Sequence, residues 1–134
     1  MMDRDNRWER VKIAYDAQLR PQGEGIGVDA AVAALEAKYA AEEFDEFVKP
    51  IPVDKEGGLV DKDTLLFFNF RADRMREIVE AIGIKPPFET PLSRAELSVT
   101  QLTQYKAAFP LPVAFPPQSM NNGLSEWVSK KGLK

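Results

Sequence analysis

A short apolar run that changes abruptly into an arginine-bearing helix start constrains this chain more than any other feature. Residues 65–68 are apolar, as in a buried strand, and an amphipathic helical pattern begins a few positions later. Arg71 and Arg74 lie between the two, three positions apart, so they share one face of a first helical turn. In α/β sheets, ligands bind at the carboxyl ends of the strands. The sequence therefore predicts an α/β fold with a phosphate or carboxylate site at these arginines.

Structural ion pairing is the alternative explanation for the two arginines, because charged side chains also cluster at exposed helix starts. The acidic partners available nearby are Asp63, Asp73 and Glu77. In the functional interpretation, Asp73 orients an arginine. For Arg4, at the junction between a charged loop and a helix, the residue pattern favours a solvated helix cap; in the functional alternative it points at the same pocket.

Composition narrows the class of protein. The 134 residues suffice for one ordinary domain, and the net charge of −3 gives no overall positive field for nucleic acid or an acidic membrane. The chain has neither cysteine nor histidine, which excludes thiol chemistry, disulfides and the commonest general base. We expect no membrane partner and no signal peptide, with a cytoplasmic location as the default.

Hydrophobic spacing predicts alternating helices and extended segments. Helices are expected over residues 5–19, 29–41, 73–82 and about 124–132. Strands are expected over residues 64–70 and 97–105, with an edge segment at 44–53 and a short hairpin at Leu59 and Val60. The expected helix ends are Asp3 or Asp5 as the first N-cap, Asp29 as the second, and Gly83 as the stop of the third.

Other patterns are weaker. The second helix has an apolar stripe that predicts a buried seam: Val28, Val32, Leu35 and Tyr39. The acidic group in residues 42–46 could be a metal site, but a solvated loop is favoured without histidine. The glycine-rich residues 23–27 follow a helix and lack a P-loop lysine, so a phosphate cradle is not favoured. Trp127 is assigned to a core or an interface rather than to a stacked ligand.

Four blocks, in one order along essentially the whole chain, resemble a known family. The blocks are MDRDNRWERV at residues 2–11 with AYDA at 14–17, DEFVKP at 45–50, FFNFRADR at 67–74, and TQY at 103–105 with VAFPP at 113–117. They are similar to those of the cofactor-independent (2,3-bisphosphoglycerate-independent) phosphoglycerate mutases, in the alkaline-phosphatase-like superfamily. The block at residues 67–74 is the most specific of the four.

The resemblance implies a two-domain architecture. In this family one α/β domain carries a serine nucleophile and two manganese ions, and an inserted domain binds phosphoglycerate. Phosphoryl transfer proceeds through a phosphoserine intermediate. By resemblance, residues 1–108 are the C-terminal part of a three-layer α/β substrate-binding domain. Residues 109–118 are a proline-rich interdomain linker, and residues 119–134 begin the metal-binding domain with one helix.

The resemblance also assigns site residues and a function. Substrate-binding roles pass to Arg4, Arg71 and Arg74, with Ala72 and Asp73 in the same binding stretch. No catalytic residue and no metal ligand is expected, because the nucleophilic serine block and the manganese-binding aspartates and histidines have no counterparts here. The chain is expected to be a fragment of a glycolytic isomerase that interconverts 3-phosphoglycerate and 2-phosphoglycerate without 2,3-bisphosphoglycerate. We expect that enzyme to be a monomer in full-length form and the fragment to be inactive alone.

The alternative to a truncated enzyme is a non-enzymatic module. It would bind a small phosphorylated acid, or serve as an interaction partner, with the same arginines.

Overall fold

A parallel sheet lies at the centre of the structure, with three strands among the described residues. The computed structural model describes residues 3–21, 23–92 and 96–132. Its strands are β1 (Thr64–Phe67), β2 (Ser98–Thr103) and β3 (Val113–Phe115), in the sheet order β1-β2-β3. Leu65 lies opposite Val99, and Gln101 lies opposite both Phe67 and Val113. All three strands run in one direction, so their carboxyl ends share one edge of the sheet.

In the described part of the chain, four helices accompany this sheet. They are α1 (Trp8–Leu19), α2 (Val28–Ala40), α3 (Arg76–Val79), which continues as a π-helical turn (Glu80–Ile84), and α4 (Leu124–Lys130). The core joins α1 and α3 to the sheet through Val11, Tyr15, Ile78, Ile82 and Val99. Full burial of such a side chain stabilises the fold by about 1.5–3 kcal/mol. Helices packed on a small parallel sheet confirm the predicted α/β class.

The predicted ends of β1 and α3 were wrong. β1 ends at Phe67 rather than at residue 70, and α3 begins at Arg76 rather than at residue 73. Gly83 is not a helix stop but lies inside the π-helical turn. A Cβ at this position would be 3.0 Å from Leu111 Cδ1 and 3.3 Å from Val99 Cγ1. Gly83 therefore lets the helix approach the sheet closely.

The predicted buried seam of α2 was also wrong. The helix itself is confirmed, but none of its residues is buried, and Val28 and Val32 are 78% and 67% exposed. Its N-cap is Gly27 rather than Asp29. An apolar stripe shows that a helix is amphipathic but does not say what covers it.

Two predicted strand segments lack strand structure. Residues 44–53 form turns and loop, and Leu59 donates its N–H to Gln18 O at the end of α1 (2.8 Å) instead of closing a hairpin. The proline-rich segment contains β3, which pairs with β2 at the sheet edge. The interdomain role of this segment stays a prediction. Met2 and the last two residues of the chain, which fall in other predicted segments, lie outside the described residues.

The close approach of Gly58 to α1 leads to a stability prediction. A Cβ at Gly58 would lie 2.6 Å from the backbone oxygen of Leu19, which cannot move aside without shifting the helix end. We expect Gly58→Ala to lower the free energy of unfolding by about 1–3 kcal/mol, the usual range for overpacking. Gly57→Ala is the matched control, because its Cβ would be 3.5 Å from the nearest atoms. Urea denaturation midpoints measure both variants, and an equal loss in the two would contradict the assigned clash.

Candidate functional site

The loop that follows β1 is fixed by side chains from β2 and the turn beyond it. Tyr105 Oη lies 2.8 Å from Phe67 O and 2.7 Å from Asn69 O. Thr103 Oγ1 donates a hydrogen bond of 3.0 Å to Phe70 O. Both anchors hold the backbone that leads into the arginine block, at the sheet edge where α/β folds bind ligands.

Asp73 brings two of the predicted arginines together. Arg71 Nη2 donates a 2.6 Å hydrogen bond to Asp73 Oδ2, and Arg4 Nη1 lies 3.8 Å from the same oxygen. The side chains of Arg4 and Arg71 are 56% and 77% exposed. Arg4 and Arg71 therefore meet in space, as the functional interpretation requires, while retaining exposed guanidinium surface. Their role in binding stays a prediction.

The carboxyl of Asp73 is held in its ionised form. Its partial burial alone would raise the pKa, but the nearby Arg71 charge and the backbone N–H of Arg74 outweigh this, so the pKa is lowered. Arg4 contributes in the same direction. At neutral pH, Asp73 therefore stays a carboxylate between two guanidiniums.

The remaining residues of the predicted site have different surroundings. Arg74 Nη1 lies 3.8 Å from Glu46 Oε1, and its side chain is 31% exposed. Ala72 O accepts hydrogen bonds from the N–H groups of Met75 and Arg76 at 3.1 and 3.3 Å. Ala72 thus shapes the turn before α3. Exposed ion pairs, such as those of Arg74 with Glu46 and of Arg71 with Asp73, contribute about 0–1 kcal/mol each to stability. An incoming anion can therefore compete with the carboxylates for these arginines.

Sequence reasoning missed two buried acids beneath this site. Asp3 is not an N-cap, since that position is Arg7, but its Oδ2 accepts the N–H groups of Asp5 and Arg7 at 3.0 and 2.9 Å. Glu77 Oε1 accepts the N–H of Asn6 at 2.9 Å. An acid beside the apolar Ile78 and Val79 was the available signal for Glu77.

The acidic segment and Trp127 have ordinary surface surroundings in the described residues. Among the residues that the structure describes, no group of three or more aspartates, glutamates, histidines or cysteines is arranged to hold a metal ion. In the acidic segment, Glu43 pairs with Lys38, and Asp45 accepts a hydrogen bond from Tyr39. Trp127 is 51% exposed on α4, so the described chain does not bury it. Within the same described ranges, every helix is too short or too polar to cross a bilayer.

Comparisons with known proteins agree with the sequence blocks. Residues 1–107 match the family model described as "BPG-independent PGAM N-terminus". A 2,3-bisphosphoglycerate-independent phosphoglycerate mutase from Onchocerca volvulus is 46% identical over 138 residues, covering 98% of this chain and 26% of that protein. Proteins of the same name from Brugia malayi and Vibrio campbellii are each 45% identical to this chain. Each match covers 98% of this chain and 26% of the relative. The chain spans about a quarter of the length of these curated relatives.

Proposed function

Because the chain belongs to the 2,3-bisphosphoglycerate-independent phosphoglycerate mutase family, we propose that it supplies the substrate clamp of a mutase acting on 3-phosphoglycerate and 2-phosphoglycerate. One observation carries this proposal. Arg4 and Arg71, far apart in sequence, share the carboxylate of Asp73 at the carboxyl edge of the sheet. Arg74 lies in the turn that leads from Asp73 into α3.

The chemistry of the substrate fits this arrangement. Phosphoglycerate carries a phosphate and a carboxylate, and a guanidinium offers planar, always charged donor pairs for both groups. Asp73 holds Arg4 and Arg71 near each other before substrate arrives, which reduces the ordering cost of binding. Phosphoryl transfer depends on positioning and on stabilising negative charge, and an arginine clamp provides both.

The domain assignment is part of the same proposal. Residues 1–108 would belong to the three-layer substrate-binding domain, residues 109–118 to the linker and residues 119–134 to the metal-binding domain. The family model ends at residue 107, next to the proposed boundary, which supports this division. The cytoplasmic location and the monomeric full-length form are proposed on the family resemblance alone.

Manganese is not assigned to any residue of this chain. The resemblance implies two ions for the full-length family, but the described residues hold no group of ligands that fits one. The residues available here bind and orient the substrate.

Removing one guanidinium tests the clamp. We expect Arg71→Ala to weaken 3-phosphoglycerate binding by about 10–100-fold, since a charge-assisted hydrogen bond contributes about 1.5–3 kcal/mol. Arg20→Ala is the matched control, because it removes the same charge at the far end of α1. Isothermal titration calorimetry on the 134-residue chain measures both. Equal weakening by the two substitutions would show that only net charge matters, which would count against the clamp.

A further inference from the structure

Two buried carboxyl groups, those of Asp3 and Glu77, interact at the loop that carries Arg4, and each alters the pKa of the other. The side chain of Asp3 is 1% exposed, and Glu77 as a residue is 5% exposed. Asp3 precedes α1, whereas Glu77 lies on α3, so their contact joins the loop at residues 3–7 to the helix after the arginine block. Two buried carboxylates side by side are strongly unfavourable, because each charge loses hydration and repels the other.

Asp3 has the partners that a carboxylate needs. Its Oδ2 accepts the N–H groups of Asp5 and Arg7, and Arg7 Nη1 donates to its Oδ1 at 3.1 Å. Burial alone would raise the pKa of Asp3, but these donors, together with Glu77, lower it to about 2. Asp3 is therefore the ionised member of the pair.

Glu77 has the surroundings of a neutral acid. Its Oε1 accepts the N–H of Asn6, whereas Oε2 is buried and finds no donor. Burial raises the pKa of Glu77, and the charges of Asp3 and Asp5 raise it further, although the N–H of Asn6 opposes them. A proton on Oε2 would convert this buried oxygen without a partner into a donor, and the neighbouring carboxylate of Asp3 is an acceptor for it.

No described cation replaces that proton. Arg7 on the loop pairs with Asp3 and Asp5. On the helix of Glu77, Arg76 Nε donates to Tyr105 O at 3.0 Å, and Glu80 pairs with Lys106. The other charged residues that line the cavity beside Asp3 are Arg10, Glu46 and Lys49. Among the described residues, none of these cations forms an ion pair with Glu77.

We propose that Glu77 keeps a proton on Oε2 and through it donates a hydrogen bond to the carboxylate of Asp3. This acid–carboxylate hydrogen bond fastens the Arg4 loop to α3. Glu77 is then a positioning residue that holds Arg4 beside Asp73 and Arg71. The shared proton rests on the burial of both carboxyl groups and on the Glu77 Oε2 atom that finds no donor. Its effect on substrate affinity rests on the proposed function.

Glu77→Gln separates the proton from the shape of the side chain. The amide oxygen can still accept the N–H of Asn6, and the amide N–H₂ donates to Asp3 at every pH. In the parent chain the folded pKa of Glu77 lies above its ordinary value of 4.5. The stabilisation is therefore present below pH 4.5 and is lost as the pH rises through the folded pKa. We expect the free energy of unfolding to fall over that window in the parent chain and to stay level in Glu77→Gln.

A direct measurement accompanies the stability profile. Carboxyl ¹³C NMR titration should place the pKa of Glu77 above 4.5 and that of Asp3 near 2. A Glu77 value at or below 4.5 would overturn the proposal, whatever the variants do. This readout needs no substituted protein, so a variant that fails to fold cannot obscure it.

Substrate affinity tests the positioning role. The affinity of the parent chain for 3-phosphoglycerate should fall, relative to Glu77→Gln, as Glu77 loses its proton. The Gln variant is the reference because the substrate phosphate also changes charge with pH. Glu77→Leu should bind weakly at all pH values, and rescue by Gln but not Leu would support a donated hydrogen bond. Parallel pH profiles for the parent chain and Gln variant would refute the positioning role. If no protein binds 3-phosphoglycerate, the proposed function fails while the NMR titration still decides the proton.

Discussion

The 134 residues alone are expected to show no interconversion of 3-phosphoglycerate and 2-phosphoglycerate, with or without added manganese. The sequence has no histidine or cysteine, and the described residues offer no group that could hold a metal ion. By resemblance, the serine nucleophile and the manganese ligands belong to regions of the full-length enzymes that have no counterpart in these residues. An arginine clamp can position a substrate, but it supplies no nucleophile to receive the phosphoryl group.

Phosphorus-31 NMR checks this expectation by following 3-phosphoglycerate incubated with the purified chain and manganese. The full-length Onchocerca volvulus relative, in the same buffer, is the positive control. Manganese-dependent formation of 2-phosphoglycerate by the 134-residue chain would contradict the proposal that other regions of the full-length enzymes carry out the chemistry. Binding without turnover is the result that the clamp predicts.

The sequence predicted the elements around the candidate site better than their ends. The apolar residues before Arg71 and the periodic residues after it correctly indicated a strand and then a helix. The strand ends early because Tyr105, distant in sequence, lies against the carbonyls of Phe67 and Asn69. A local sequence pattern cannot predict this contact, because its partners are more than thirty positions apart in the chain. Gly83 likewise resembled a helix stop, although packing against Leu111 and Val99 explains it.

The proline-rich segment shows why β3 was missed. Prolines predict an extended connector because they cannot donate to a strand ladder. An edge strand can nevertheless include neighbouring prolines, since their carbonyls still accept hydrogen bonds. Pro112 O accepts the N–H of Gln101 at 2.9 Å and leads into β3. The pattern was extended, as predicted, but pairing with β2 depends on tertiary structure.

Only part of the candidate site was visible in the sequence. The sequence correctly placed Arg71 and Arg74 between a strand and a helix, but both precede α3 and do not lie on its first turn. The proximity of Arg4 to Asp73 depends on how the N-terminal loop folds back. The sequence indicated Glu77 only as an ion-pair partner of the arginines. In the structure, Glu77 instead interacts with Asn6 and Asp3, which are far from it in sequence. Only the folded chain brings these residues together.

Tyr105 is expected to have the largest single-residue effect on the stability of this site. The residue is 1% exposed, and its hydroxyl reaches the two carbonyls at the end of β1. Tyr105→Ala would leave a cavity in the core, and we expect a loss of about 3–5 kcal/mol in the free energy of unfolding, as for other buried aromatic truncations. Tyr105→Phe keeps the ring and should lose about 1–3 kcal/mol, because buried carbonyls lose a donor.

The phenylalanine variant also tests whether Tyr105 positions the arginine block. With its hydroxyl gone, residues 68–70 lose the anchor at Asn69 O, and among the described side chains Thr103 still holds Phe70 O. Affinity for 3-phosphoglycerate should therefore fall in variants that still fold. Tyr39→Phe is the matched control, since Tyr39 is 38% exposed and its hydroxyl bonds only to the exposed Asp45 among the described residues. Urea denaturation and calorimetry should show a loss confined to Tyr105→Phe. Unchanged affinity in a destabilised Tyr105→Phe would contradict the positioning role. The Tyr105 hydroxyl would then stabilise the fold only, because the loop would keep its arginines in place without that hydroxyl.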